Sequence, residues 1–289
     1  MIEGQTLCDS IVGARVPAVP PLVAAAAEAT HRLSLPEIQA ALADAMVETR
    51  YQPVVRLADR AVIGLEALAR LNHPARGTVL PEAFVPQIED AGLAAQLTDL
   101  VAAATFADMA GAALAPLGLS ISLNLPLDVL LLTAALTRLD AQRQAAGIPV
   151  ERVIIELTES RPVDDFAALR RALERLRQAG YQIVIDDVGP AVAELDLLLE
   201  LPFTGLKLDK GLVLQLETNP EVLAEVERVV ARAKARGLSV VAEGIENAAQ
   251  WHRLHALGVD HAQGFLVAHP LPAAAVPVWL KSWQALPEF

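Results

Sequence analysis

The sequence predicts an α/β fold with a mostly parallel sheet and helices outside it, and three observations predict it. Strand-like and helix-like segments alternate along most of the chain, which is the pattern of a parallel sheet covered by crossover helices. The first two strand-like runs, 51–57 and 62–68, are joined by only Ala58-Asp59-Arg60-Ala61, too short for a parallel crossover, so they form an antiparallel hairpin. With that hairpin the strand-like runs number eight, enough to close a TIM-like (β/α)8 barrel whose site lies at the carboxyl ends of the strands. An open doubly wound sheet is the rival architecture.

Composition supports a packed domain of 289 residues, 54% hydrophobic and 20% charged, without the polar bias of a disordered chain. Aromatics are 4%, too few for a surface that stacks exposed bases in series. The formal charge of −12 repels polyanions and anionic membranes, so bulk nucleic acid is not an expected partner. It leaves room for a small anionic substrate, because divalent cations reverse the field in a carboxylate-lined site. Cys8 is the single cysteine, which excludes an intramolecular disulfide and a thiolate metal site. The acidic start Met1-Ile2-Glu3 and the prolines 17, 20 and 21 are a poor match to a signal peptide, and a cytoplasmic location is expected. The uncharged run 109–127 holds Gly111, Pro116, Gly118, Asn124 and Pro126. It reads as a helix end, a turn and a buried strand rather than a membrane span.

Taken in order, residues 1–33 show no sustained period and carry a proline cluster, so they are expected to be an extension or tail before a domain over 34–289. Residues 35–48 place Ile38, Ala41, Leu42, Ala45 and Met46 at helical spacing after Ser34, a plausible N-cap, with Pro36 in the first turn. The hairpin follows. The runs 121–125, 153–159, 182–188, 205–210, 239–246 and 261–267 are the remaining strands.

Each of these apolar runs contains or meets a polar group: Glu66, Asn124, Glu156 with Glu159, Asp186-Asp187, Lys207 with Asp209, Glu243 with Glu246, and Gln263. Converging several carboxylates is intolerable unless cations neutralise them. Oxygen donors from Glu, Asp and one Asn, with no cysteine or histidine cluster, suit Mg²⁺ or Mn²⁺. Asp186 and Asp187 point to opposite sides of a regular strand, but at a strand end the turning chain lets both face one metal pair. Two metals imply in-line attack on a phosphate. Lys207 would orient the water or phosphate, and Arg70, on the same side as Glu66 if the chain there is helical, would clamp a phosphate oxygen. Any one acidic residue at a strand end is more often a turn residue or helix cap; the recurrence over seven strands shifts the balance. His252 and His255 read as an outer helix face, and Glu217, Glu221, Glu225 and Glu227 as solvated surface.

The ordered set Tyr51-Gln52-Pro53, Glu66-Ala67-Leu68 with Arg70, His73-Pro74, Asn124, Glu156-Leu157-Thr158-Glu159-Ser160, Asp186-Asp187, Lys207-Leu208-Asp209, Glu243-Gly244-Ile245-Glu246 and Gln263-Gly264 resembles the EAL-domain family of cyclic di-GMP phosphodiesterases, over about residues 37–283. The resemblance implies a barrel with one antiparallel strand and hydrolysis of cyclic di-GMP to linear pGpG. It implies that Glu66, Asn124, Glu156 and Asp186 hold a first Mg²⁺ or Mn²⁺, with Asp186 bridging to a second that Asp187 and Glu243 help bind. Lys207, Glu66 and Glu243 would form the catalytic set, with Lys207 on the nucleophilic water. Arg70, Gln263 and Asp209 would meet the substrate, and Glu159 and Glu246 would support loops. A homodimer and a protein partner for residues 1–33 complete the expectation.

The chain departs from the family at 188–194, where Asp-Asp-Phe-Gly-x-Gly-Tyr-Ser-Ser is replaced by Asp186-Asp187-Val188-Gly189-Pro190-Ala191-Val192-Ala193-Glu194. Losing the second glycine removes easy access to positive φ, Pro190 restricts its neighbour, and losing the hydroxyls removes helix caps. The expectation is therefore an enzyme whose activity this loop weakens or makes dependent on a partner. The alternative is a catalytically impaired cyclic di-GMP receptor. A barrel enzyme that uses Mg²⁺ and Lys207 to abstract a proton beside a carboxylate leaves the motif set unexplained.

Overall fold

Among the described residues, nine strands join in one sheet: β1 (Val47–Arg56), β2 (Val62–His73), β3 (Gly77–Val79), β4 (Ser120–Pro126), β5 (Val153–Thr158), β6 (Gln182–Val188), β7 (Gly205–Leu208), β8 (Ser239–Ala242) and β9 (His261–Ala262). This computed structural model describes residues 32–158, 165–189 and 195–286. The order is β1-β9-β8-β7-β6-β5-β4-β2-β3, and β1 also pairs with β2, so the sheet closes. Eight strands make the barrel, which excludes the open sheet; β3 stands outside it, paired with the far end of β2. β1 is antiparallel to both its neighbours and every other barrel pair is parallel. The three-residue β3 has no apolar run to announce it and was not expected.

Several element ends differ from the sequence reading, each for a local reason. The helix expected over 35–48 is Leu35–Ala43. It begins where the Glu37 carboxylate accepts from both the N–H and the hydroxyl of Ser34, at 2.7 and 2.6 Å, the reciprocal capping of a Ser-x-x-Glu start. It ends where Ala45 takes φ 50°. The runs expected over 205–210, 239–246 and 261–267 stop at Leu208, Ala242 and Ala262. Asp209 ends the first by accepting from the Gly211 N–H at 2.8 Å and capping the helix Lys210–Gln215. The second turns at Gly244, φ 70°. The third runs into Gly264, where a Cβ would lie 2.2 Å from the Ile245 nitrogen; only glycine lets these two backbones pass so closely. The run 109–127 is resolved as expected into the end of the helix Ala94–Ala110, a short 3₁₀ turn and β4.

Side-chain alternation along the strands divides the molecule into two interiors. Leu65, Ala67, Ile121, Leu123, Ile155, Leu157, Ile183, Ile185, Leu206, Leu208, Val240 and Ala242 are buried in the main apolar core. The residues between them form the other face, and the parallel register pairs Glu66 with Ser122, Asn124 with Glu156, Glu156 with Val184, Val184 with Gly205, and Lys207 with Val241. That second face lines the barrel, and it is polar toward the carboxyl ends of the strands.

Side-chain bonds fix the antiparallel strand. The Tyr51 hydroxyl donates to Asp108 Oδ2 at 2.7 Å, tying β1 to the helix Ala94–Ala110. At the opposite end of the hairpin, Trp283 of the helix Val276–Ala285 donates its indole N–H to the Arg60 carbonyl at 2.9 Å. The β1–β9 ladder that closes the barrel is short: Val55 faces Ala262 and Arg56 faces His261. A bridge between Tyr51 and Leu271 extends it beyond β9. Among the described residues, no helix is long and apolar enough to cross a membrane.

Candidate active site

β2, β4, β5, β6 and β7 bring Glu66, Asn124, Glu156, Asp186 with Asp187, and Lys207 to the carboxyl end of the barrel, and the segments after β8 and β9 bring Glu243 and Gln263. Glu66, Glu156, Asp186, Lys207 and Gln263 are all buried. Lys207, 1% exposed, stands at the centre, with Nζ 2.9 Å from Glu156, 3.1 Å from Asp186, 3.5 Å from Glu66 and 2.5 Å from Glu243. Asn124 donates Nδ2 to Glu66 Oε1 at 2.8 Å, which leaves its amide oxygen for another partner. Gln263 donates Nε2 to Glu66 Oε2 at 2.5 Å and to Gln52 Oε1 at 3.0 Å. Those two acceptors fix the amide, and Gln263 Oε1 remains buried without a hydrogen-bond partner.

The carboxylates fall into two groups. Glu66, Glu156 and Asp186 can bring one oxygen each within 4.8 Å of one another, and so can Asp186, Asp187 and Glu243. Asp186 belongs to both. The chain achieves this through Asp187, which takes φ 54° at the end of β6, where the register with β7 shifts between Ile185 and Val188. Its N–H bonds the Asp186 side chain at 3.0 Å. The left-handed turn is what brings two adjacent aspartates to one side, as the strand-end argument anticipated; an aspartate tolerates it better than a branched residue would.

The electrostatics are those of an anion-rich pocket. Burial pushes the Glu156 carboxyl well up, Lys207 opposes this, and the neighbouring Glu66 and Asp186 charges add to it. Burial likewise raises Asp186 to about 6 and Glu243 to about 8, against the relief that Lys207 offers each. Asp187 is also raised, by burial first. Glu66 is the exception: burial is the largest single influence on it, but Lys207, Gln263 and Asn124 together outweigh burial and hold its carboxyl below the usual value. Burial opposes the charge on Lys207, and the surrounding carboxylates more than restore it, raising its pKa well above the ordinary value. Five carboxylates and one ammonium carry four formal negative charges, which two divalent cations would balance. The donor set of carboxylate oxygens with one amide oxygen fits such hard cations.

Arg70 lies on the same face of β2 as Glu66, but the reason is strand alternation, not the helical spacing considered from the sequence: β2 runs unbroken to His73. Arg70 as a residue is 8% exposed, and among the described residues no carboxylate lies within ion-pair distance of its guanidinium. It donates to the Ala69 carbonyl at 2.7 Å, and burial lowers its pKa. A buried cation left without a counter-ion is a natural partner for an anionic ligand.

Other expected residues stand apart from this cluster. Asp209 spends its carboxylate on the helix cap described above. Glu246 pairs with Lys210 at 3.4 Å. Glu159 and the loop segment 190–194 lie outside the described residues. Gln52 was not singled out as a site residue, yet it is buried, opposite Glu66 in the β1–β2 register, and holds both Gln263 and the Ala268 carbonyl, the latter at 3.0 Å. Its signal was the alternation on β1, which puts it on the barrel-lining face.

The EAL domain model matches residues 36–270. The cyclic di-GMP phosphodiesterase RocR of Pseudomonas aeruginosa is 33% identical over 83% of this chain and 61% of its own length. The cyclic di-GMP phosphodiesterase NbdA of the same organism is 31% identical over 89% of this chain and 33% of its own length. The uncharacterized protein y4lL of Sinorhizobium fredii is 33% identical over 84% of this chain and 29% of its own length. The chain thus spans between about a third and three-fifths of these relatives. Among solved structures, the PaMucR phosphodiesterase in complex with c-di-GMP superposes with a TM-score of 0.78 at 31% identity, over 84% of this chain and 98% of that one. The EAL enzyme Bd1971, bound to cAMP and cyclic di-GMP, does so with 0.78 at 27% identity, over 83% and 66%.

Proposed function

The chain belongs to the EAL domain family, and from that premise we propose that it is a metal-dependent phosphodiesterase that hydrolyses cyclic di-GMP to linear pGpG. The observation that carries the reading is the pair of carboxylate groups sharing Asp186, with Lys207 between them. In this reading Glu66, Asn124, Glu156 and Asp186 hold one Mg²⁺ or Mn²⁺, and Asp186, Asp187 and Glu243 a second. Bound there, the cations would neutralise phosphoryl oxygens and lower the pKa of a water.

The side chains do the rest. Lys207, within reach of Asp186 and Glu243, orients the water and stabilises negative charge on the phosphoryl oxygens. Arg70 donates to a non-bridging phosphate oxygen. Gln263 orients Glu66 through Nε2 and offers Oε1 as an acceptor. Asp209 and Glu246 support the substrate-side loops from the ends of β7 and β8. Residues 34–289 form the catalytic domain and 1–33 an extension that docks a protein partner; the reading also includes a homodimer in the cytoplasm.

The test is incubation of the purified chain with cyclic di-GMP in Mg²⁺ and in Mn²⁺, following pGpG by chromatography. Glu66→Ala should lose activity by about a hundred-fold or more, as removal of a metal-orienting group does. Binding with no product would turn the reading toward a receptor. Restoring the family loop through Ala191→Gly, Val192→Tyr, Ala193→Ser and Glu194→Ser should raise turnover if that segment limits it.

A further inference from the structure

Gln52 lies on β1 and Gln263 directly after β9, both are buried, and their amides form a chain whose direction is set at its far end. The Ala268 carbonyl can only accept, so Gln52 must present Nε2 to it, at 3.0 Å. Gln52 Oε1 is then what meets Gln263, which must answer with Nε2, again at 3.0 Å. The same Nε2 reaches Glu66 Oε2 at 2.5 Å, and Gln263 Oε1 is left buried and unpaired. The carbonyl that imposes this order is anchored. The Ala268 N–H donates to the Gly264 carbonyl at 3.0 Å, and farther along Leu271 and Tyr51 exchange backbone hydrogen bonds of 2.7 and 2.9 Å. Tyr51 precedes Gln52, so one stretch of ladder holds both the first amide and the carbonyl it binds.

Glu66 alone does not secure Gln263 in this orientation once a cation is bound. A carboxylate that neutralises a divalent cation has less charge to offer a second donor, and hard cations readily take amide oxygens. Gln263 would then gain by swinging Oε1 toward the metal and releasing Glu66. Gln52 opposes that swing, because an inverted Gln263 would set one amide oxygen against another and leave the buried Gln52 Oε1 without its donor. We propose that Gln52 is a positioning residue for the phosphodiester reaction: it passes the polarity of the Ala268 carbonyl through Gln263 to Glu66, so that Gln263 braces the metal-binding carboxylate instead of binding the metal itself. This rests on the phosphodiesterase reading and adds the residue that orients the site from across the barrel's closure.

The full chain tests it. Gln52→Met, Gln263→Met and the double variant are compared with the unmodified protein in Mn²⁺ affinity by calorimetry and in KM and kcat for cyclic di-GMP. Nuclear magnetic resonance of protein carrying ¹⁵N in its glutamine side chains follows hydrogen exchange of the Gln263 amide, whose signal is identified by its loss in Gln263→Met. The thermal midpoint in EDTA verifies that each variant is folded. Gln52→Met should weaken Mn²⁺ binding and lower kcat by roughly ten-fold each, the range for removing an outer partner of a metal ligand, while KM changes less than about two-fold. Exchange of the Gln263 amide should quicken in the same variant. In the Gln263→Met background, Gln52→Met should cost less than about two-fold in either quantity, because a residue that acts only through another leaves nothing to add. In the unmodified chain the Gln263 amide should exchange at least roughly ten-fold more slowly than that of the exposed Gln178; equal rates overturn the proposal without recourse to any variant. Fully additive effects, or an unchanged Mn²⁺ affinity and amide exchange in Gln52→Met, overturn it too and leave the phosphodiesterase reading in place. Absence of cyclic di-GMP hydrolysis by the unmodified chain overturns that reading, while Mn²⁺ affinity and amide exchange still decide the part of Gln52.

Discussion

Lys207 Nζ lies 2.5 Å from Glu243 Oε1, and the same ammonium is the only cation within ion-pair distance of Glu66, Glu156 and Asp186 among the described residues. One buried positive charge therefore holds the metal-free pocket together. Removing one partner of a buried ionic cluster costs about 3–5 kcal/mol, because the remaining charges lose their compensation. Lys207→Met should destabilise the metal-free protein by about that much in urea denaturation, and Mn²⁺ should recover part of the loss. A variant as stable as the parent in EDTA would contradict this account.

The raised carboxyls give a pH dependence of definite sign. With folded values near 6 for Asp186 and 8 for Glu243, the metal-free fold keeps protons that the unfolded chain has already shed. The stability they contribute is complete below the ordinary carboxylate pKa and is lost as pH rises through about 6 and then about 8. A cation must displace those protons, so its affinity moves the other way. Mn²⁺ affinity should increase by about ten-fold or more between about pH 5.5 and 8. Calorimetry in buffers of different ionisation enthalpy should register proton release over that interval; affinity independent of pH would show that the carboxyls are already ionised.

Asp187 does two separable things, since its φ of 54° shapes the chain and its carboxylate joins the second group. Asp187→Asn should keep the turn and the folding midpoint but weaken cation binding. Asp187→Val should in addition lose about 1–3 kcal/mol, because a branched side chain is strained at positive φ. Equal stability of the two variants would mean that the turn does not constrain the residue.

Tyr51 gives a contrasting case outside the pocket. Its buried hydroxyl bonds Thr49 and Asp108, and burial raises its pKa, so it is a neutral donor throughout the working range. Tyr51→Phe should cost about 1–2 kcal/mol in denaturant unfolding with kcat for cyclic di-GMP unchanged. A large loss of kcat at unchanged stability would move Tyr51 into the site.

The legible part of the sequence was whatever repeats. Alternating apolar runs revealed the barrel strands, and the polar residue at each strand end revealed Glu66, Asn124, Glu156, Asp186, Lys207, Glu243 and Gln263. What stayed hidden depended on neighbours distant in sequence. Asp209 and Lys207 are two residues apart, yet one caps a helix and the other is buried among carboxylates, and only the end of β7 at Leu208 separates those fates. Gln52 lacked an acidic or basic group to draw notice, and its importance comes from facing Glu66 across a hairpin and Gln263 across the closing seam. β3 is too short to show a period.

That seam has a mechanical consequence. β9 shares two facing residue pairs with β1 and two with β8, whereas β1 and β2 share nine, so the two shortest ladders of the cylinder flank β9 and the β1 edge is one of them. Gln52 and Gln263 straddle that edge, and Gln263 is what steadies Glu66. On warming, the two glutamines are expected to separate before the hairpin melts, loosening Glu66 while most secondary structure is still intact. The steadiness of the carboxylate pocket is thus tied to the narrow stave β9 rather than to the long hairpin beside it.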